Sequence, residues 1–523
     1  MTGFVIQSSH HISIFNSNLN LMKEKETGSK SYLFMIVLVA VFGGLLFGYD
    51  TAVISGAEKG LQAFFLGAHD FVYTDVIHGI TSSSALIGCI IGSALSGLCA
   101  SALGRKRSLF IAGLLFLVSA LGSYWPEFML WERGVPHMGT LVVFNIYRVV
   151  GGIGVGLASA ICPMYIAEVS PAEIRGKLVS WNQFAIIFGQ LTVYFVNFLI
   201  LGEHTNPIIE KIGETVYQVS SASDQWTIQT GWRYMFGSEA FVAGLFSVLV
   251  CFVPESPRYL AMKGRDSKAL TILEKINGVS KGKMILQNVK ETLVEDKGKL
   301  LSFGILVIFI GVMLSVFQQA VGINAVLYFA PRIFDSMGMG NPMVQTVIMG
   351  IVNILFTLVA IFTVEKLGRK PLLIYGSAGM AIGALGVAFS NIVAVSPIVP
   401  VVSIMVYSAC FMFSWGPICW VLISEIFPNT IRSGAVAIAV AFQWIFNFIV
   451  SSTFVPLYNM SMGDMGESFG HFFVYALYGT ICVAAAFFVS RMVPETKGKS
   501  LEEITKLWAN KAKKEEKKEL ALQ

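Results

Sequence analysis

Charge is what this sequence has least of. Of 523 residues only 13% are Asp, Glu, Lys or Arg, while 55% are hydrophobic, and so few charges do not clothe a water-soluble globule of that length. No Walker-type phosphate loop is present, which removes an ATP-driven pump, and no His-Glu-x-x-His pattern, which argues against an intramembrane enzyme. No filter-like ring of residues supports an ion channel or water pore. Cysteine is sparse: Cys89, Cys99, Cys162, Cys251, Cys410, Cys419 and Cys482 are scattered, most within apolar runs. They form neither a disulfide framework nor a metal-ligand spacing, so packing is their expected role, and neither metal nor cofactor is expected. The first 31 residues lack the short apolar core of a cleavable signal, and Met22, followed by Lys23 and Glu24, is an alternative start.

What the sequence has instead is long apolar runs. They lie at 32–57, 80–100, 109–124, 141–167, 178–201 and 234–252 and, after a Lys-rich stretch, at 301–330, 344–363, 372–392, 401–423, 435–458 and 472–489. Most approach or exceed the roughly 20 residues a helix needs to cross about 30 Å of hydrocarbon. The expected fold is an all-α membrane protein of twelve transmembrane helices. Lys and Arg fall after the even-numbered runs, at Arg105 to Arg107, Arg175 and Lys177, Lys366, Arg369 and Lys370, and Arg432. Retention of positive charge on the cytoplasmic side then places both termini there, in the cytoplasmic membrane. The net charge of +5 is explained by these loops without a nucleic-acid partner.

The chain repeats itself at half its length. Leu103-Gly104-Arg105-Lys106 after the second run returns as Leu367-Gly368-Arg369-Lys370 after the eighth. Glu168-x-x-Pro171-x-x-Ile174-Arg175 returns as Glu425-x-x-Pro428-x-x-Ile431-Arg432, and Pro254-Glu255-Ser256-Pro257-Arg258 is echoed by Pro494-Glu495-Thr496-Lys497. Three matches in one order argue for two six-helix bundles, 32–253 and 301–490. A helical linker (254–300) joins them, flanked by an N-terminal extension (1–31) and a C-terminal tail (491–523). In the tail Ser500 and Glu503 form a capping box ahead of Ile504, Leu507 and Trp508, which predicts one more helix. The repeated acids and bases at equivalent ends are read as conformational latches that staple helix ends together and must break when the halves rock: Arg105, Glu168, Arg175 and Glu255 in one half, Arg369, Glu425, Arg432 and Glu495 in the other. Topology signals alone account for the bases but not for the matched glutamates.

A charged side chain inside an apolar run costs at least a few kcal/mol and marks a functional candidate. Asp50, late in the first run, and Arg148, early in the fourth, stand at a similar depth and can relieve one another's desolvation. Making and breaking that pair takes up and releases a proton; the alternative is a permanent tie between two helices, a poor source of stability. Glu239 in the sixth run is a second candidate, structural or regulatory. Neutral amides also gather within the runs: Gln183 and Gln190, Gln318, Gln319 and Asn324, Gln443 and Asn447. An amide offers two donors and an acceptor without charge, the complement of a polyol's hydroxyls, although each one alone serves equally well to join two helices. With Phe47, Tyr328, Trp415 and Trp444 they predict a central cavity, and Trp415-Gly416-Pro417 must distort its helix there.

Segments including GGLLFGYDTAVISG (43–56), RVVGGIGVG (148–156), PMYIAEVSPAEIRG (163–176), NQFAIIFGQ (182–190), FQQAVGIN (317–324), SWGPICW (414–420) and PETKGK (494–499) resemble the sugar porter family of the major facilitator superfamily, nearest to its bacterial D-xylose:proton symporters. The resemblance spans about 31–508. It implies monosaccharide uptake with a proton by alternating access, most directly of D-xylose, with a glucose-type hexose carrier or a nontransporting sugar sensor as alternatives. It implies that Gln183, Gln318, Gln319, Asn324, Trp415 and Gln443 bind sugar hydroxyls, with Phe47, Tyr328, Trp444 and Asn353 nearby, and that Asp50 carries the proton beside Arg148. Facilitative members commonly hold a neutral residue at the position of Asp50, so the acid points to symport. The implied partners are sugar, proton and lipid, and the implied unit is a monomer. Two departures stand out: Ser433 replaces the usual glycine after Arg432, and Phe329 a second tyrosine after Tyr328. The stretch 201–232 has no assignable role.

Overall fold

A computed structural model describes residues 28–171, 173–212, 217–292, 302–393, 395–428, 431–462, 465–497 and 503–509. Among them are twelve helices long and apolar enough to cross a membrane. Spans one to six are Lys30–Leu66, Asp75–Ala102, Arg105–Tyr124, Met138–Val169, Arg175–Leu201 and Thr227–Phe252. Spans seven to twelve are Ile305–Tyr328, Pro342–Val364, Arg369–Ser390, Ile398–Ile423, Gly434–Tyr458 and Ser468–Met492. Many outrun the apolar stretches, because polar residues cap them outside the apolar part: the Thr74 hydroxyl accepts from the Ile77 N–H, and the Asn341 side chain from those of Met343 and Val344, which satisfies otherwise orphaned donors.

Spans three and nine both begin after a glycine in the left-handed region, Gly104 and Gly368, each at φ 92°. A Cβ would stand 2.3 Å from Glu255 Oε2 at the first and 2.8 Å from Glu495 Oε2 at the second. The Leu-Gly-Arg-Lys repeat is therefore a turn that glycine alone fits, twice over.

Each bundle packs its own spans, and the two meet mainly where span two touches span eleven and span five touches span eight. Three spans are interrupted. Span one divides at Val53 into Lys30–Ala52 and Ile54–Leu66, and the Asn197 amide donates to the carbonyl of Val53 at 3.1 Å. Span seven breaks at Gly322, φ 91°, where Tyr407 donates to the Val321 carbonyl, and continues beyond Phe329 as Ala330–Ser336. Span ten divides at Ser414 into Ile398–Phe413 and Trp415–Ile426, which is the distortion expected of Trp415-Gly416-Pro417. Broken backbone at membrane depth is tolerated where protein or a cavity surrounds it.

The linker forms three short helices, Pro257–Met262, Asp266–Asn277 and Val279–Thr292. The tail forms a helix over 503–509 with Ile504 and Trp508 buried, and the Trp508 indole donates to the Ile426 carbonyl at 2.8 Å; Ser500 of the capping pattern lies outside the described residues, as does most of 1–31. The stretch 201–232 contains a feature not anticipated, an antiparallel pair of strands, Ile209–Lys211 with Tyr217–Val219. From it Lys211 donates to the Asn459 carbonyl at the end of span eleven, at 3.0 Å, which ties one bundle to the other.

Candidate functional site

Two arrangements occupy the centre, on different sides of span one. Toward span four, Asp50 is fully buried. Arg148 Nη1 donates to Asp50 Oδ1 at 2.6 Å and Nη2 to the Asp50 carbonyl at 3.1 Å, so the predicted meeting of the two at one depth is present. The guanidinium carbon also lies 4.9 Å from the centre of the Phe236 ring. Span six brings Glu239 beside them, fully buried and within electrostatic reach of both. Among the described residues neither Glu239 oxygen meets a hydrogen-bond donor, nor does Asp50 Oδ2. Two carboxyl groups thus share one cation in a buried setting. A single proton brings that cluster to neutrality, and an uncompensated ion there is costly.

Toward the middle of the molecule, both bundles line a cavity. The N-terminal bundle supplies Phe47, Thr51, Gln183, Ile186, Ile187 and Gln190. Span one approaches span five closely enough for this because Gly48 faces the Ile186 carbonyl oxygen, 1.8 Å from where a Cβ would stand. The C-terminal bundle supplies Gln318, Gln319, Asn324, Tyr328, Trp420, Gln443, Trp444 and Asn447, among others. Its amides form a relay. Asn324 Nδ2 donates to Gln319 Oε1 at 2.6 Å, Gln319 Nε2 to Gln318 Oε1 at 3.2 Å, and Gln318 Nε2 to the Trp415 carbonyl at 3.1 Å. Gln443 Nε2 donates to Gln318 Oε1 as well. The relay fixes each amide's orientation, and among the described residues Gln443 Oε1, Gln190 Oε1 and the Trp444 indole N–H are left buried without a partner. Phe47 and Trp444, one from each bundle, face each other with ring centres 5.7 Å apart.

Two of the residues expected in the cavity do not line it. Trp415 is fully buried, and its indole donates to Ser377 Oγ at 2.7 Å; span ten's break turns it into its own bundle, and only its carbonyl reaches the relay. The tryptophan that lines the cavity is Trp420, five residues on. Asn353 accepts from Ser408 Oγ at 2.7 Å, which ties span eight to span ten away from the cavity. Residue type does not single out Trp420, Thr51, Ile186 or Ile187, whose character is ordinary for a span. Phe47, Gln183, Gln318, Gln319, Asn324, Tyr328, Gln443 and Trp444 do line the cavity.

The matched end motifs build the same structure twice. Arg105 Nη2 meets Glu168 Oε1 at 2.7 Å, and Arg369 Nη2 meets Glu425 Oε1 at 2.9 Å. Glu255 accepts the backbone N–H of Arg105 at 2.9 Å, and Glu495 that of Arg369 at 3.1 Å. Burial pushes the Glu495 carboxyl up, but the N–H groups of Lys497, Lys370, Arg369 and Thr496 outweigh it and hold the group below its ordinary range. Each ion pair lies inside its own bundle, so it holds helices within a half, and a rigid movement of the halves does not of itself require the expected breaking of the pair. Arg175 and Arg432 take no part in the two pairs: Arg175 is exposed, and Arg432 donates to the Phe427 carbonyl at 3.3 Å.

Comparison with known proteins agrees with this architecture. The profile of the family described as "Sugar (and other) transporter" matches residues 36–508. The chain is 48% identical over 501 residues to a D-xylose-proton symporter of Escherichia coli (strain K12), covering 93% of this chain and 98% of the relative. It is 35% identical to a glucose facilitated diffusion protein of Zymomonas mobilis, with 92% and 98% covered. An inward open structure of the xylose transporter XylE from E. coli superposes with a TM-score of 0.78 at 47% identity, over 91% of this chain and 100% of that one.

Proposed function

Because the chain belongs to the sugar transporter family, we propose that it carries a monosaccharide, D-xylose foremost, into the cell together with a proton, by alternating exposure of one central site. It is a transporter and not an enzyme. The observation that carries this reading is the pairing of the two central arrangements across span one: Thr51 lines the amide cavity, and the adjacent Asp50 is buried against Arg148.

In this reading Gln183, Gln318, Gln319, Asn324 and Gln443 receive the sugar, and its hydroxyls satisfy Gln443 Oε1, Gln190 Oε1 and the Trp444 indole. Leaving such groups unpaired costs about 1–3 kcal/mol each, so the cavity discriminates against ligands without hydroxyls. Phe47, Tyr328, Trp444 and Trp420 offer aromatic faces to the ring. Asp50 takes the proton when Arg148 is drawn away and gives it up when the pair re-forms, with Glu239 sharing the charge. Arg105 with Glu168 and Arg369 with Glu425 keep each bundle's basic-side helix ends together while the bundles rock. Both termini face the cytoplasm, on the side the basic loops mark, and a single chain in lipid of the inner membrane holds the whole path.

The relative that conducts glucose by facilitated diffusion makes uniport the rival. Asp50 favours symport over it. The test is sugar-triggered proton movement: D-xylose added to unbuffered vesicles should make the outer medium alkaline, and D-glucose should do so less. Sugar entry with no pH change in the medium contradicts symport.

A further inference from the structure

The reading above leaves unused a buried ionic cluster at the end of the bundles opposite the Arg105 and Arg369 turns. Glu58, on the outer part of span one, has a side chain only 1% exposed. Arg332, on the outer piece of span seven, grips it with two nitrogens: Nε donates to Oε1 at 3.0 Å and Nη2 to Oε2 at 2.7 Å, while Nη2 also donates to Gln62 Oε1. The cluster therefore crosses from one bundle to the other. Beside it Lys59 pairs with Asp335 across the same boundary.

A third side chain completes the cluster from within the N-terminal bundle. His78, in the first turn of span two, is fully buried, with Nε2 3.0 Å from Glu58 Oε2 and Nδ1 3.1 Å from the Tyr73 hydroxyl. The neighbouring Gly79 lies where the bundles cross, since a Cβ there would stand 2.1 Å from the Ser452 carbonyl oxygen of span eleven. The same end is also tied by Lys211 to Asn459 and by Asn459 to Asp75.

Opening this end requires Arg332 to leave Glu58, and removing one partner of a buried ion pair is strongly unfavourable unless another charge replaces it. His78 is placed to do so. As a neutral ring it donates from Nε2 to Glu58 and accepts at Nδ1 from Tyr73; as a cation it donates from both nitrogens, with the Tyr73 hydroxyl turned to accept. One geometry serves both protonation states. The charges balance likewise: Glu58 and Arg332 with a neutral His78 sum to zero, and after Arg332 withdraws, one proton on His78 restores zero. We infer that Glu58 and His78 form a second proton-binding site, filled from the outer solution as Arg332 withdraws, so that acidity outside favours opening of the outer end. This site gates; it does not line the sugar cavity. The other titratable or charged groups facing it are Tyr73 and Asp75 from the start of span two, the Lys59 and Asp335 pair, and Tyr458 of span eleven, which faces Arg332. The proton thus replaces a guanidinium beside groups with partners of their own: Lys59 pairs with Asp335, and Asp75 accepts from the Tyr217 hydroxyl and the Asn459 amide.

The inference rests on the alternating-carrier reading, and the test keeps the two apart. Nitroxide labels are placed at Val72→Cys and Met462→Cys, exposed positions on the outer loops of the two bundles, with Cys251→Ser removing an exposed native thiol. Their separation is measured by pulsed electron resonance from pH 8 to pH 5.5 in an Asp50→Asn protein, so that the central carboxylate contributes nothing. The long-distance, outer-open population should rise on acidification by roughly five- to tenfold relative to the closed one. His78→Gln should flatten that response, and Arg332→Gln should raise the open fraction even at pH 8. A flat response before His78 is altered, or an undiminished one after, overturns the inference. Distances that move with pH but never with added D-xylose would count against the transport reading alone.

Discussion

The two bundles share their basic-side ends almost residue for residue and differ at the centre. Each has a glycine turn, an arginine paired with a glutamate, and a second glutamate receiving backbone N–H groups. At the middle of the membrane the N-terminal bundle holds the ionisable groups Asp50, Arg148 and Glu239, and the C-terminal bundle holds the amide relay and two of the three broken spans. The recurring parts are those that hold a bundle together, and on the function proposed above the differing parts put the proton chemistry in one bundle and the larger share of sugar recognition in the other. The ionic cluster and the cavity adjoin across span one, where Asp50 is next to Thr51.

The comparison breaks most visibly at Arg148. Arg148→Ala leaves the buried Asp50 carboxylate without its cation, at a cost of about 3–5 kcal/mol, and thermal unfolding in detergent should register it; adding Asp50→Asn should restore much of the loss. A purely structural tie between two helices would not be rescued in this way. On the other side of the division, Gln443→Ala removes a group lining the cavity and should weaken D-xylose binding by roughly ten- to a hundredfold, from the loss of one or two buried hydrogen bonds, while thermal stability changes little. Calorimetric titration reads this directly. Trp420→Ala should also lower affinity, whereas Trp415→Phe, which strips a hydrogen bond to Ser377, should lower stability by about 1 kcal/mol and leave affinity near that of the unaltered chain. The smallest effect belongs to the repeated ends. Glu495, held low by backbone N–H groups, contributes stability that is fully present above its ordinary value near 4.5 and is lost as pH falls through the lowered one. The stability difference between the protein and Glu495→Gln should accordingly be constant at neutral pH and close on acidification.

Much of this was legible because lipid constrains sequence severely. Runs of apolar residues announce spans, and acids or amides inside them announce function, so Asp50, Arg148 and most of the amide set follow from residue type and depth alone. The rest depended on direction, which residue type does not carry. Trp415 and Trp420 are the same residue five positions apart, and only the break at Ser414 decides which indole faces the cavity. Asn353 is an amide in a span like Gln318, but Ser408 takes its carbonyl. The outer cluster was hidden for another reason: Glu58 and His78 stood at the ends of the predicted spans, where charge excites no suspicion, and Arg332 joins them from 274 residues away. The strands at Ile209–Lys211 and Tyr217–Val219 are too short to show a period.

The central claim is most directly tested in liposomes holding the purified protein, with an inward proton gradient and equal D-xylose on both sides. The chain should concentrate the sugar inside, and Asp50→Asn should bind D-xylose yet bring it only to equality. Accumulation by Asp50→Asn equal to that of the unaltered chain would contradict the assignment of the proton to this carboxylate.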